Sequence, residues 1–188
     1  MNNKEKLIAF ADLLKNASWR AVGWRDINQI LELGVFDSHY AFRNLDLFKK
    51  KESKSWLDVG SGNGLNAIPL ALMFPNWQGV FIEKNSQKAD WLRGVLNFLD
   101  MSYEVVNFDV RKMINKLERY DVITARALFP PQAAFKTLAP LLNKNGLLIL
   151  FCGKDASVAS NKKFKIMTHD YQIDAFGENR KLIVVTKL

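Results

Sequence analysis

The run Leu57-Asp58-Val59-Gly60-Ser61-Gly62-Asn63-Gly64 constrains the chain more than any other stretch. A β-prone segment ends at Val59 and three glycines follow at alternate positions, so the backbone must turn sharply and can lie close to a ligand. Ser55–Val59 reads as a strand and Asn66–Phe74 as a helix, which makes the loop the opening of a βαβ unit. Further strands are predicted at Gly79–Glu83, Tyr103–Phe108, Asp121–Ala125, Leu147–Cys152, Phe164–Thr168 and Lys181–Thr186. Helices fit Arg111–Leu117, Pro131–Leu142 and Ser86–Leu99, where Ala89, Leu92, Leu96 and Leu99 recur at helical spacing and Ser86 lies near the N-cap. The expected fold is α/β and Rossmann-like, a mostly parallel seven-stranded sheet. Only Gln172–Arg180 separates its last two strands, as in an antiparallel hairpin at one edge.

Ahead of Ser55 the pattern is helical, with Leu7, Ile8, Ala11 and Leu14 on one stripe and Ile27, Ile30 and Leu31 on another. Residues 1–50 are therefore expected as a helical N-terminal cap and residues 55–188 as the α/β core of one domain, joined through the charged run Lys49–Lys54. The lone Cys152 excludes an intramolecular disulfide, and His39 and His169 offer no zinc spacing, so neither a metal nor an oxidising compartment is expected. No export signal or membrane-length apolar run is read, so the expected location is the cytoplasm. Twenty-seven Lys plus Arg against nineteen Asp plus Glu, a net charge of +8, suit a polyanionic partner; a merely solubilising surface is the alternative.

A dinucleotide fingerprint needs a third glycine three positions after the second, yet Leu65 stands there, and the spacing is GxGxG. Asp58 would sit poorly beside a pyrophosphate but suits the ammonium end of a methionine moiety; its other reading is a turn cap. Glu83 ends the next strand, where a doubly wound fold carries its ribose-hydroxyl acceptor. Together these point to S-adenosylmethionine. After the third strand, Asp109 can accept from the adenine amine while the Val110 N–H donates to a ring nitrogen; Asp109 can equally be the N-cap of the next helix.

Leu57–Gly64, Ile68-Pro69-Leu70-Ala71, Phe74-Pro75, Asp121–Ala127, Asn143-Lys144-Asn145-Gly146 and Glu178–Leu182 resemble the bacterial 16S ribosomal RNA guanine-N7 methyltransferases, the glucose-inhibited division protein B family. The resemblance implies a class I S-adenosylmethionine-dependent methyltransferase. It also implies cofactor contacts at Gly60 and Leu65, at the pair Val110 and Arg111, and at Arg126 beside both cofactor and substrate. This chain departs from the pattern in carrying Glu83 for the usual Asp, Arg111 for an acidic residue, and Cys152 for a lysine. Of the family's Arg-His-x-x-Asp-Ser only Phe36-Asp37-Ser38 survives, with Leu33 and Gly34 at the basic positions.

Guanine N7 attacks with an existing lone pair, so positioning should dominate catalysis. Arg126 is the expected catalytic residue, donating to guanine O6, unless it is an ordinary ion-paired arginine. Phe129-Pro130-Pro131-Gln132 lacks the polar head and aromatic tail used in adenine-amine methylation. Cys152 reads as a structural thiol rather than the nucleophile of pyrimidine C5 methylation. Trp19-Arg20 and Trp24-Arg25 suit either stacking on RNA bases or packing of the cap, and Arg111, Lys112, Lys116 and Lys162-Lys163 are candidates for a basic rim. The implied partner is 16S rRNA or a small-subunit precursor, met by a monomer. A small-molecule methyltransferase and a non-catalytic RNA-binding module are the rival readings.

Overall fold

Seven strands form one sheet: β1 (Lys54–Val59), β2 (Trp77–Glu83), β3 (Glu104–Asn107), β4 (Tyr120–Arg126), β5 (Leu142–Gly153), β6 (Phe164–Ile173) and β7 (Glu178–Lys187). They lie in the order β3-β2-β1-β4-β5-β7-β6, parallel from β3 to β5 and antiparallel from β5 through β7 to the edge strand β6. This computed structural model describes residues 1–19, 21–42, 52–113, 118–159 and 162–188. Arg20, Lys49, Lys50, Lys51 and Lys116, singled out in the sequence, fall outside them.

The predicted strands are all present, several longer than the apolar runs suggest. β5 begins at Leu142 because Leu142 pairs with Tyr120 ahead of an irregularity in the ladder. β6 runs on to Ile173 because the hairpin ladder continues and buries Tyr171 and Ile173. Between strands lie α4 (Ala67–Met73), α5 (Ser86–Phe98), α6 (Val110–Met113) and α7 (Pro131–Leu138), which a 3-10 turn over Ala139–Leu141 extends. The N-cap of α5 is Asn85, whose side chain accepts from Lys88 N, with Ser86 next to it as the first helical residue.

The cap contains α1 (Asn3–Asn16), the single turn α2 (Ile27–Gln29), a π-turn over Ile30–Val35 and α3 (Asp37–Phe42). Asn2 and Glu5 form a reciprocal capping box at the start of α1. Its buried stripe is Leu7, Phe10, Ala11 and Leu14, while Ile8, expected on it, is exposed. The spacing i, i+3, i+4, i+7 selects Phe10 and turns Ile8 away from the sheet. This face packs with Trp56, Phe81, Val122, Ile149 and Val184 on one side of the sheet, whereas Leu57, Ile123, Leu148 and Leu150 meet α7 on the other. Residues alternate between the two layers along each strand, as a sheet covered on both faces requires.

The chain runs outward from β1 to β3 and then returns to β4 on the other side of β1. The carboxyl ends of β1 and β4 therefore flank the point where strand order reverses, where an open α/β sheet offers its ligand crevice.

Candidate active site

The glycine loop is bolted to the neighbouring strand. Gly60 N and Ser61 N both donate to Ile82 O, at 2.8 and 3.1 Å, and Gly64 N donates to Ser61 O. Gly60, Gly62 and Gly64 have φ of +71°, +57° and +86°, the left-handed region that favours glycine. Glu83, buried at the tip of β2, accepts from Gly62 N through Oε2 (2.9 Å) and from Asn85 N through Oε1 (2.8 Å). Loop and carboxylate thus form one unit.

A hollow of about 310 Å³ lies over it, lined by Gly60, Gly62, Glu83, Asp109, Val110 and Arg111, and by Arg126 with Leu128 and Phe129 on the far wall. A Cβ on Gly60 would come within 2.5 Å of Leu128 Cδ1, which would have to move, and the positive φ there strains any other residue. Asp109 is gripped by Arg111, whose Nη2 lies 2.5 Å from Oδ2 and whose backbone N–H donates to Oδ1 at 3.1 Å. The hydrogen bonds and charge of Arg111 hold the Asp109 carboxyl far below the usual carboxylate range, so it remains an acceptor at any ordinary pH. The carboxylates of Glu83 and Asp109 and the apolar walls of Leu128 and Phe129 suit the hydroxyls, the amine and the faces of an adenosine.

Asp58, Gly64 and Leu65 lie outside this lining. Gly64 packs under Leu92, Ile68 and Phe10, and Leu65 rests against Gly34 of the cap. Asp58 is 1% exposed, its Oδ1 accepting from Thr124 Oγ1 (2.5 Å) and Asn66 Nδ2 (2.8 Å), while Thr124 in turn accepts from Trp56 Nε1. It anchors the loop from beneath. Burial is the main influence on Asp58 and raises its pKa despite these hydrogen bonds. A carboxyl raised in this way opposes folding where it must ionise, and the opposition vanishes where both folded and unfolded forms are protonated. Asp58→Asn should therefore melt higher than the parent at pH 7 without ligand, with the gain fading below about pH 4. Asn66 Oδ1, buried without a hydrogen-bond partner, stands ready to accept from the new amide. A lower melting temperature at pH 7 would contradict this reading.

Arg126 reaches from the hollow to the cap. Its Nη1 pairs with Asp37 Oδ2 at 3.1 Å and its Nη2 donates to Leu33 O at 3.2 Å, a carbonyl of the π-turn. Asp37 is 1% exposed, and its other oxygen accepts from Tyr171 OH at 2.9 Å. Burial, then the charge and hydrogen bond of Asp37, push the Tyr171 phenol upward, which keeps it a donor. Asp37 and Tyr171 were not marked as site residues by the sequence; the surviving Asp37-Ser38 was the one signal for the first.

A second hollow of about 660 Å³ opens beside the first and shares Ala127 and Phe129 with it. Its walls include Phe151, Cys152, Glu178 and Arg180. Burial pushes the Cys152 thiol up to about 11, which disfavours a nucleophile. Its alkylation rate should still be climbing at about pH 10; a plateau by pH 9 would overturn that.

Trp19 meets Trp91 edge-on, with Lys88 over its ring, and Trp24 touches Gly34, so both pack the cap. His39 meets Phe36 edge-on and His169 stacks on Tyr171. Among the described residues no group of His, Cys, Asp or Glu could hold a metal ion, and no helix is long and apolar enough to cross a membrane.

Residues 3–183 match the family described as GidB, rRNA small subunit methyltransferase G. The ribosomal RNA small subunit methyltransferase G of Brachyspira hyodysenteriae is 32% identical over 181 residues, 92% of this chain and 83% of that protein. Its namesake from Prochlorococcus marinus subsp. pastoris is 28% identical over 127 residues, 64% of this chain and 52% of the relative. A solved structure of an MtNAS mutant in complex with S-adenosylmethionine superposes with a TM-score of 0.63 at 15% identity, covering 98% of this chain and 73% of the other.

Proposed function

We propose, from the premise that this chain belongs to the GidB family of rRNA small subunit methyltransferase G, that it methylates N7 of a guanine in 16S rRNA. The fold is that of class I methyltransferases, S-adenosylmethionine is the methyl donor and RNA the partner. The observation that carries the reading is the Glu83–Gly62 hydrogen bond, which joins glycine loop and ribose acceptor over one hollow. When bound, the cofactor supplies an electrophilic methyl group. Gly60 and Gly62 present backbone to it, Glu83 accepts from its ribose hydroxyls, and Asp109 with the Val110 N–H holds its adenine. Arg111 keeps Asp109 ionised, and Arg126 fixes the wall between cap and rim.

Guanine N7 needs no base to remove a proton, which agrees with a lining in which Cys152 is kept as a thiol. The residues therefore orient and exclude water. Asp58, Gly64 and Leu65 act from outside the hollow, by holding the loop. The net charge of +8 supports an rRNA-bearing substrate, either 16S rRNA or a small-subunit precursor; a cytoplasmic monomer completes the proposal.

Incubation with labelled S-adenosylmethionine and unmethylated small-subunit RNA should yield 7-methylguanine, with turnover falling steeply as salt rises. Absence of product with free RNA, intact subunits and precursor particles alike would overturn the assignment. Salt-insensitive methylation of a metabolite would replace RNA as the acceptor.

A further inference from the structure

The second hollow, at the ends of β4, β5 and β7, carries paired groups that the first does not use. Glu178 and Arg180 project from the same face of β7, two residues apart, and are ion-paired across the mouth. Arg180 sits opposite Tyr171 in the ladder, on the cap-side face that also holds Arg126 and Phe151. Phe129 stands in the partition, lining both hollows, with the Arg111 guanidinium 5.9 Å from its ring centre. Ala127, the other shared residue, has φ of +50°, so a strained backbone is kept where the two spaces join.

Arg126 lines the first hollow with part of its guanidinium turned to Asp37 and Leu33 O of the cap. The second hollow has a guanidinium of its own, that of Arg180. Guanine presents along its Watson–Crick edge an acceptor at O6 followed by donors at N1–H and the N2 amine. An arginine beside a carboxylate is the complement of that order. Adenine presents an amine and then a bare ring nitrogen, the reverse, and leaves both protein groups unpaired. N7 is not on this edge, so it stays free to react.

We propose that the second hollow is the acceptor-base site, in which Arg180 donates to guanine O6 and Glu178 accepts from N1–H and the N2 amine, the base lying beside Phe129. The assignment rests on the methyltransferase reading above and adds the means by which the acceptor is chosen. A base read on its Watson–Crick edge cannot be paired, so the target must be unpaired or splayed from its helix.

The test uses single-stranded RNA oligonucleotides carrying one guanine, or inosine, which lacks only the N2 amine, or adenine. Binding is read by fluorescence anisotropy and methylation by product mass. The parent should bind the inosine oligonucleotide about 10-fold or more weakly than the guanine one, the worth of a charge-assisted hydrogen bond. Glu178→Ala should bring that ratio to within about twofold, raise KM for guanine RNA and leave S-adenosylmethionine affinity unchanged. Glu178 has a 44% exposed side chain, so the substitution should spare the fold, which thermal melting checks. Arg180→Lys, retaining charge on a single nitrogen without the planar fork, should keep the inosine ratio while weakening both oligonucleotides. Retention of the inosine ratio in Glu178→Ala overturns the proposal, as does loss of cofactor affinity in that variant. Discrimination without methylation in the parent would instead overturn the methyltransferase reading and leave this site standing.

Discussion

Arg126→Met is expected to destabilise the protein by about 3–5 kcal/mol, because it strands a buried carboxylate. Asp37 is 1% exposed and its two oxygens are divided between Arg126 and Tyr171. Methionine approximates the packing of the arginine stem but leaves Asp37, among the described residues, with the neutral donor Tyr171, and it also removes the donor to Leu33 O. The penalty arises from the unpaired charge, not from the strength of the pair, since buried ion pairs are often no better than apolar substitutes of similar shape. Asp37→Asn combined with Arg126→Met should therefore recover much of the loss, and Tyr171→Phe alone should cost only about 1–2 kcal/mol. Urea denaturation of the parent, Arg126→Met, Asp37→Asn and the double variant closes a double-mutant cycle, with Tyr171→Phe measured beside it. A single-variant loss below about 1 kcal/mol, or strict additivity in the double, would show that Asp37 is solvated or paired otherwise. The same variants should loosen the cap from the rim, because this node ties the π-turn and α3 to β4 and β6.

That node marks the boundary between what the chain discloses in order and what only folding assembles. Gly60, Gly62 and Glu83 were legible because their placement needs only a strand, a turn and the next strand, and parallel neighbours bring the ends of β1 and β2 together without further information. Asp109 and Val110 follow from one more strand of the same kind. Asp58, Gly64 and Leu65 belong to the same motif, yet the winding of the loop turns them inward and behind, a direction that spacing does not encode. The partners of Arg126 are harder still. Asp37 lies in the cap and Tyr171 on the edge strand, 134 residues from it, and their meeting depends on how α3 lies against β6. The hairpin of β6 and β7 was visible, but its length was not: an apolar run shows where a strand is buried, whereas the ladder through Tyr171 and Ile173 is set by pairing. Glu178 and Arg180 came into view only within the segment Glu178–Leu182 that carries the family resemblance, and the side they face follows from that register.

Glu83→Ala is expected to raise the dissociation constant for S-adenosylmethionine about 10- to 150-fold, the worth of 1.5–3 kcal/mol in hydrogen bonds to a charged acceptor. The buried carboxylate has two tasks that the variant separates: it holds Gly62 N and Asn85 N, and it presents its remaining lone pairs to the hollow. If the ribose is its ligand, the parent should bind S-adenosylhomocysteine more tightly than its 2′-deoxyribose analogue, and Glu83→Ala should bind the two alike. Calorimetric titration measures all four combinations without requiring turnover. Glu83→Gln gives the finer comparison, since one carbonyl oxygen can still receive Gly62 N while the charge is gone. Its amide nitrogen then faces the N–H of Asn85, so it should melt somewhat below the parent, and it should lose most of the discrimination. Equal loss for both ligands in Glu83→Ala, with discrimination intact, would mean that Glu83 acts only as a brace for the loop and that the ribose is held elsewhere along the hollow.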